Sequence, residues 1–347
     1  MPKVRQRRMP ARWVLAVIGV AALVVAIDVG VFVLARGGTN TADARLAAGD
    51  VVAVIDPAGR RLVARVGVGR QPTLVRAGYG GAWVLNKGDG TVTHIDARSH
   101  EVLGTLEPDA AANALTVGAG GVWLAGHPRS AVNVPLETTA LERIDPVSGV
   151  IDRSFETKTG ASVVAAGGGS LWTTGLLGGH VRGAARSDAV SGVMSKLDIG
   201  IYGDLVAADD TAAYYVASIG NRVARVSTKT GRLTNSMTLA SDASLAAGNV
   251  PPSPTDVSVG GGAVWISETD GTLLRIDPRL KGIVDSIPAC RNALAVAYGE
   301  GAVWVACGDD TVVSVDPATD APGRPIPVGR LPRGIAAGEG AVWVTLN

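Results

Sequence analysis

The sequence predicts an all-β fold, a seven-bladed β-propeller closed by pairing of its N- and C-terminal strands and preceded by one transmembrane helix. Three observations predict this fold. A strand with a central aromatic residue recurs along the chain, it follows an aspartate turn at a constant distance, and the two ends of the repeat region are complementary halves. Self-similarity at a period of about 20–50 residues indicates a repeat architecture.

The recurring strand is short and apolar, and residues 301–305 (Gly-Ala-Val-Trp-Val) are its clearest copy. Both alternating faces of this strand are apolar, so both faces of each small sheet must be covered. Blades that pack face to face in a propeller give this pattern. We therefore expect the aromatic rings to fill the space between blades. Their positions are Trp83, Trp123, Trp172, Tyr215, Trp265, Trp304 and Trp343.

A turn that starts with aspartate ends the third strand of most repeats, as in Asp56-Pro-Ala-Gly59. Aspartate accepts backbone N–H bonds at the first turn position, and proline and glycine suit the positions that follow. The distance from this aspartate to the next aromatic residue is 27 in six of the seven repeats, and only Ser227 to Trp265, at 38, departs from it. These aspartates are predicted to be structural.

The two ends of the repeat region are incomplete in complementary ways. Residues 51–57 match a third strand without an aromatic strand before it, and the chain stops at an aromatic strand, 343–347, with no third strand after it. Asp50 aligns with Asp310. The two halves therefore predict one blade that closes the ring and removes open sheet edges.

The N-terminal segment contains an apolar run of 22 residues, Trp13 to Leu34, interrupted only by Asp28. A helix needs about 20 apolar residues to cross a bilayer, whereas a cleaved signal peptide has an apolar core of about 7–15. We therefore prefer an uncleaved anchor to a signal peptide. The basic residues before this run place the N-terminus in the cytoplasm and the propeller outside the cell. The predicted segments are a cytoplasmic basic tail (1–12), a transmembrane helix (13–35), a linker (36–48) and the propeller (49–347).

Three segments are longer than the equivalent segments of the other repeats, and all three fall on one face of the predicted ring. They are residues 126–138, 174–185 and 241–255, in loops between second and third strands or in connections between blades. Insertions collect on surface loops, and loops on a rigid scaffold often carry function. We therefore expect a ligand to bind on this face. The candidate binding residues are Arg70, His127, Arg129, His180, Asp204, Arg291, Asn292 and Arg333, and Lys87, Asn113, Asp256 and Arg330 are placed beside them.

The two cysteines are predicted to form a disulfide. Cys290 precedes the innermost strand of its blade, and Cys307 ends the next strand, which runs back antiparallel. The start of one strand and the end of the other are therefore neighbours. An oxidised pair is compatible with a location outside the membrane; the alternative is two free, buried thiols.

Composition and motifs predict binding without catalysis. The net charge of +1 does not indicate a nucleic-acid partner. No phosphate-binding loop, His-Glu-x-x-His or Cys-x-x-Cys motif occurs, so we predict no catalytic residue, metal or cofactor. The alternative is an acid–base or metal site in which His127 and His180 meet, with Glu137 or Asp204.

The Gly-Ala-Val-Trp-Val strands and the strand-Asp-Pro-x-x-Gly turns resemble the bacterial YVTN/NHL-type propeller superfamily over about residues 49–347. That group includes virginiamycin B lyase and the extracellular sensor propellers of membrane kinases. The resemblance implies either a binding or sensing module or a metal-assisted lyase with a histidine base; residues 265–268 (Trp-Ile-Ser-Glu) come nearest to the lyase repeat. We expect a membrane-anchored extracytoplasmic module that binds a ligand, cell-wall polymer or partner protein, with a lyase or hydrolase as the alternative.

Overall fold

The structure, a computed structural model, describes residues 50–129, 138–157, 160–177, 181–239 and 251–347. These residues contain no helix with the length and apolar character needed to cross a bilayer. The predicted basic tail, transmembrane helix and linker lie outside the described residues.

The described residues form seven four-stranded antiparallel sheets, here called blades 1 to 7. Blade 1 contains β3 (Pro72–Gly78), β4 (Gly81–Asn86), β5 (Thr91–Asp96) and β6 (Val102–Leu106), and blade 2 contains β7 (Ala110–Gly118), β8 (Gly121–Pro128), β9 (Thr139–Ile144) and β10 (Ile151–Thr157). Blade 3 contains β11 (Val163–Gly167), β12 (Ser170–Leu177), β13 (Val181–Asp188) and β14 (Met194–Leu197), and blade 4 contains β15 (Leu205–Ala208), β16 (Ala212–Ala217), β17 (Arg222–Ser227) and β18 (Leu233–Thr238). Blade 5 contains β19 (Pro254–Gly260), β20 (Ala263–Glu268), β21 (Thr272–Ile276) and β22 (Ile283–Pro288), and blade 6 contains β23 (Ala293–Gly299), β24 (Ala302–Cys307), β25 (Thr311–Val315) and β26 (Ile326–Pro327). Blade 7 contains β27 (Pro332–Gly338), β28 (Ala341–Leu346), β1 (Val51–Asp56) and β2 (Arg61–Gly67).

Blade 7 confirms the predicted closure of the ring. Its strands follow the order β2-β1-β28-β27, so the N-terminal strand lies directly beside the C-terminal one. The register pairs Val51 with Leu346 and Val54 with Trp343. Asp50 and Asp310 also match, because both have a positive φ and both carboxylates accept a backbone N–H from the following blade connection. The count of seven blades is therefore confirmed.

The hairpins between the first and second strands of six blades, all except blade 4, explain part of the glycine content. In blade 1, Tyr79 and Gly80 have φ of 56° and 80°, and in blade 6, Glu300 and Gly301 have φ of 52° and 76°. Two successive positive φ values define the tight turn whose twist matches that of the flanking strands. Glycine adopts this conformation without a steric penalty.

The aromatic positions are buried between blades, as predicted. The six tryptophans of the repeat are at most 1% exposed, and so is Tyr215. Each packs against its neighbour; Trp265, for example, belongs to a cluster with Val296, Val303 and Val305 of blade 6. Its indole N–H donates to the Gly260 carbonyl at 3.0 Å, and the same bond to the glycine five residues earlier recurs in blades 1, 3, 6 and 7.

The turn aspartates have the structural role that the sequence predicts. Asp188, for example, accepts backbone N–H bonds from Val190 and Ser191 at 3.1 and 2.7 Å. These bonds lower the pKa of the Asp188 carboxyl, because they favour its charged form. They hold the hairpin between the third and fourth strands on one face of the ring, here called the lower face. The opposite face, with the second-to-third hairpins and the blade connections, is here called the upper face.

The expected loop at 174–185 proves to be mostly strand. β12 continues to Leu177 and β13 starts at Val181, with Gly175 paired to Gly183. A longer antiparallel ladder satisfies backbone groups that a loop would leave to water. Likewise β8 extends to Pro128 by pairing with Ala110–Ala112 of β7. The rest of 126–138 and most of 241–255 fall in 130–137 and 240–250, outside the described residues.

Candidate functional site

The first strand of every blade lines a central channel, which two cavities occupy. The lower chamber, about 300 Å³, is lined by residues of all seven inner strands. The upper chamber, about 200 Å³, is lined by residues nearer the start of those strands and includes the exposed Asn113 and Arg333. Both chambers share Arg76 and Asp256, which lie at their junction.

Arg76 lies on β3 and directs its guanidinium into the channel. Its Nη1 donates a hydrogen bond to the Val75 carbonyl at 2.9 Å. A guanidinium carries five N–H donors, so most of them remain for another acceptor. Burial lowers the pKa of Arg76, and the nearby charge of Asp256 opposes that shift. Arg76 is thus a cation in an environment that protein walls enclose.

Asp256 lies on β19, three blades away around the ring and therefore across the channel from Arg76. Its two carboxylate oxygens accept backbone N–H bonds from Val257 at 2.9 Å and from Val296 of blade 6 at 3.0 Å. Burial raises the pKa of the Asp256 carboxyl, whereas the charge of Arg76 and these two bonds lower it. No ion pair among the described residues joins Asp256 to Arg76, so the two charges face each other without contact.

Arg76 breaks the repeat pattern of the inner strands, and Asp256 breaks it together with Asp204 of blade 4. Arg76 pairs with Trp83 across the hairpin, and the residues that pair with the aromatic position in the other blades are small or apolar: Thr116, Ala165, Val206, Ser258, Ala297 and Ala336. Asp256 lies two residues before Ser258. At the equivalent position blades 1, 2, 3 and 6 carry Leu74, Ala114, Val163 and Ala295, and blade 4 carries another aspartate, Asp204. Sequence reasoning placed Asp256 near the mouth but missed Arg76. Alignment of the inner strands could have found it.

Two of the predicted binding residues hold loops of the upper face together. The backbone carbonyl of Arg70 accepts a hydrogen bond from the Gly88 N–H. The Arg70 guanidinium donates a second bond, from Nη2 to the Gly88 carbonyl, at 3.0 Å. Arg129 forms an ion pair with Glu107 at 2.7 Å and donates to the Gly90 carbonyl at 2.8 Å. Both guanidiniums therefore use part of their donor capacity within the scaffold.

The carboxylate of Asp204 accepts bonds from the backbone N–H of Ser218 at 2.9 Å and from the Ser218 hydroxyl.

His127 is partly buried, and its Nδ1 lies 3.1 Å from the carbonyl oxygen of Pro128. His180 and Glu137, its proposed partners in the alternative site, lie outside the described residues. Among the residues that the structure does describe, no group of three or more His, Cys, Asp or Glu side chains could hold a metal ion.

The remaining predicted residues, Arg291, Asn292 and Arg333, are exposed on the upper face. Of the candidates that the structure describes, only Arg333 lines the upper chamber. Asn292 has a φ of 56°, and its carbonyl accepts a bond from Gly308 N–H at 2.8 Å.

The predicted disulfide is confirmed. Cys290 and Cys307 are bonded, with their Cα atoms 6.2 Å apart. The bond joins the connection between blades 5 and 6 to the end of β24 on the upper face. It thereby restrains the strand start beside Arg291 and Asn292.

A third cavity, of about 510 Å³, opens on the lower side between blades 1 and 2. His94 stacks on Trp83 there, with ring centroids 3.7 Å apart, and burial lowers the pKa of the imidazole. His94 pairs with the tryptophan of its blade where blade 5 has Arg275, whose longer side chain reaches Asp320 of blade 6. The shorter histidine leaves this groove unfilled.

Glu268, at the upper end of β20, is a buried carboxyl outside the channel, and it is 7% exposed. Burial, followed by the charge of Asp270, raises the pKa of Glu268 to about 7. This carboxyl therefore changes its charge near neutral pH.

Comparisons with known proteins identify the fold. No protein-family model and no curated protein matches the chain. Among solved structures, it is similar to the β-propeller domain of Cps50 (Swd1) from Myceliophteria thermophila, with a TM-score of 0.59, 11% identity, and coverage of 80% of this chain and 96% of that one. It is also similar to the computationally designed protein Ika8, with a TM-score of 0.57, 15% identity, and coverage of 83% and 87%. At these identities the likeness shows that the chain contains a β-propeller, a fold commonly used for binding or scaffolding.

Proposed function

We propose that this chain is a membrane-anchored, extracytoplasmic β-propeller of the YVTN/NHL type that binds a ligand, a cell-wall polymer or a partner protein on its upper face. The observation that carries the proposal is the channel below that face. There, Arg76 and Asp256 present opposite charges that do not pair with each other. Partly desolvated charges with perturbed pKa values, placed in a concave site, are typical of functional sites.

Recognition accounts for this arrangement better than catalysis. A guanidinium and a carboxylate held on rigid strands supply fixed charges and hydrogen bonds, which select a ligand by complementarity. The alternative lyase or hydrolase site would need His180 and Glu137, which lie outside the described residues, and the Nδ1 of its described member, His127, lies 3.1 Å from the Pro128 carbonyl oxygen. The described channel residues support a role in binding or sensing.

Two features support a location outside the cell. The apolar run at 13–34 follows a basic segment, which favours an anchor with its N-terminus in the cytoplasm. The Cys290–Cys307 disulfide is compatible with an oxidising compartment.

A topology experiment tests the location. Alkaline phosphatase, which is active only outside the bacterial cytoplasm, is fused after residue 347 of the full chain, with a fluorescent-protein fusion as the reciprocal reporter. We expect phosphatase activity in a membrane fraction that resists carbonate extraction. Fluorescence without phosphatase activity would show that the propeller lies inside the cell and would end the proposal.

Hydrogen exchange tests the binding face. The full chain in detergent is incubated with a peptidoglycan digest or with a mixture of small metabolites, and peptide protection is compared with buffer alone. We expect protection in peptides that cover the start of β3 and β19 and the Cys290–Asn292 connection. Protection confined to the lower hairpins, such as Tyr79–Gly80, would place binding on the wrong face.

A further inference from the structure

We propose that the channel binds a small zwitterion, a compound with one carboxylate and one ammonium group joined by a short aliphatic segment. The carboxylate is held by Arg76 and the ammonium by Asp256. This inference rests on the proposed function and names the ligand class of the same site. The ligand class includes amino acids and the ends of short peptides.

The charges of the channel define this class. Arg76 uses one of its five donors on the Val75 carbonyl, and its remaining donors suit a carboxylate, which a guanidinium binds through two parallel hydrogen bonds. Asp256 has one bond on each oxygen, and a carboxylate offers about four acceptor sites in total. An ammonium group, with three donors and no acceptor, complements the remaining sites.

The separation of the two charges excludes a ligand with a single charge as the best fit. An enclosed charge without a partner costs folding free energy, and removal of one member of a pair leaves the other uncompensated. A simple anion beside Arg76 would satisfy one residue and place a second negative charge near Asp256. A zwitterion satisfies both residues and adds no net charge to the channel.

The walls define the size and the middle of the ligand. The lower chamber, about 300 Å³, lies at the small end of the range of ligand pockets, about 300–1,000 Å³. Its exposed surface is more polar than apolar, whereas the surface of the upper chamber, to which Leu74, Val163 and Leu294 contribute, is more apolar than polar. A short aliphatic segment between the two charged ends matches the walls of the upper chamber.

The rigidity of the site favours selection by length. Asp256 is fixed by backbone bonds from β19 itself and from β23 of the next blade. The next polar residue of the strand, Ser258, accepts a bond from Tyr298 N–H at 3.0 Å and ties the same two inner strands. A pre-organised carboxylate of this kind binds with little further loss of conformational freedom.

The experiment measures binding of unbranched ω-amino acids, from glycine to aminohexanoate, to the full chain in detergent by calorimetry. Propionate and propylamine serve as single-charge probes. We expect one length to bind most tightly, and at least about tenfold more tightly than either single-charge probe, because each charged contact contributes separately. No binding by any member, or equal binding of propionate and the best zwitterion, would overturn the proposal.

Matched variants identify the residues. Arg76→Gln and Asp256→Asn are each expected to weaken binding of the best member at least about tenfold, whereas Arg76→Lys, which keeps the charge, retains part of the affinity. The controls are Arg98→Gln, on the exposed lower face, and Asp285→Asn, whose carboxylate on β22 bonds only its own neighbour Ser286. Unchanged affinity in the two channel variants would overturn the assignment. If the zwitterions fail but a peptidoglycan digest still protects the upper face from exchange, the proposed function stands and only the ligand class falls.

Discussion

Arg275, at the interface between blades 5 and 6, and Arg76, in the central channel, show two ways in which this propeller holds a guanidinium. Arg275 lies over the Trp265 ring at 5.5 Å and donates from Nη1 to both oxygens of Asp320 at 2.9 and 2.8 Å. Within the described part of the chain, Arg76 faces Asp256 without forming an ion pair and donates a hydrogen bond only to the carbonyl of its own neighbour, Val75. The scaffold therefore neutralises charge where blades meet and leaves charge unneutralised where the blades surround a cavity. The difference separates residues that hold the ring together from residues that are available to a ligand.

The largest loss of stability is expected when the Trp265 ring, which lies under Arg275, is removed. Trp265→Ala leaves a cavity between blades 5 and 6 and should lower the free energy of unfolding by about 3–5 kcal/mol, as large-to-small core substitutions do. Trp265→Tyr, which copies the Tyr215 of blade 4, is the matched control and should cost less than half of that. Urea unfolding measures both, and a loss below about 1 kcal/mol for Trp265→Ala would contradict interface packing as the main source of stability.

The next effect concerns a buried carboxyl in the scaffold. The pKa of Glu268 in the folded state, about 7, lies above the ordinary value of 4.5 for a glutamate, so between these pH values the native state binds more protons than the unfolded state. Stability should therefore fall as pH rises through this window, by roughly 2–3 kcal/mol from this group. Glu268→Gln should remove that component and be the more stable form at pH 8.

Urea unfolding at pH 5 and pH 8 measures this difference. Asp270→Asn is the companion variant, because it removes the neighbouring charge and should reduce the pH dependence without abolishing it. Identical pH dependence of the wild type and Glu268→Gln would show that Glu268 is not the responsible group.

A smaller effect is expected for the paired guanidinium itself. Arg275→Ala loses two charged hydrogen bonds and the contact with Trp265; because both partners are partly exposed, the cost should be about 1–2 kcal/mol. Arg275→Lys keeps the charge and should retain part of the stability that Arg275→Ala loses. A double-mutant cycle with Asp320→Asn measures the coupling, and strictly additive effects would show that the ion pair contributes nothing.

The smallest change in stability is expected for the unpaired guanidinium. Arg76→Gln removes an enclosed charge, which is favourable, and the attraction to Asp256, which is unfavourable, so the net change should stay below about 1 kcal/mol. The same variant should lose zwitterion binding. If Arg76→Gln destabilised the fold as much as Arg275→Ala does, Arg76 would belong to the scaffold and the comparison would fail.

The sequence predicts the fold well because the relevant signals are local and repeated. The spacing of 27 residues, the aromatic strands and the two half-blades are sufficient to predict the pairing of β1 with β28. The disulfide follows from the antiparallel geometry of β23 and β24. Each of these depends on strand order, which a repeat makes visible.

The candidate site is less predictable because it depends on distances across the ring. Arg70 and Arg129 have the residue type and the position of ligand contacts, yet their side chains hold upper loops. Arg76 is preceded and followed by ordinary strand residues, and only its position opposite Asp256, three blades away, gives it a role. The groove at His94 likewise could not be predicted, because it exists only since the His94 side chain is shorter than that of Arg275, the equivalent residue of blade 5.

The pairing of β1 with β28 also constrains biosynthesis. Until residue 346 has left the ribosome, β1 and β27 have no strand between them, so blade 7 cannot assemble and the circle of sheets stays open. A nascent chain therefore cannot close its ring of blades until β28 has been synthesised. A product shortened before Ala341 would keep that gap between β1 and β27.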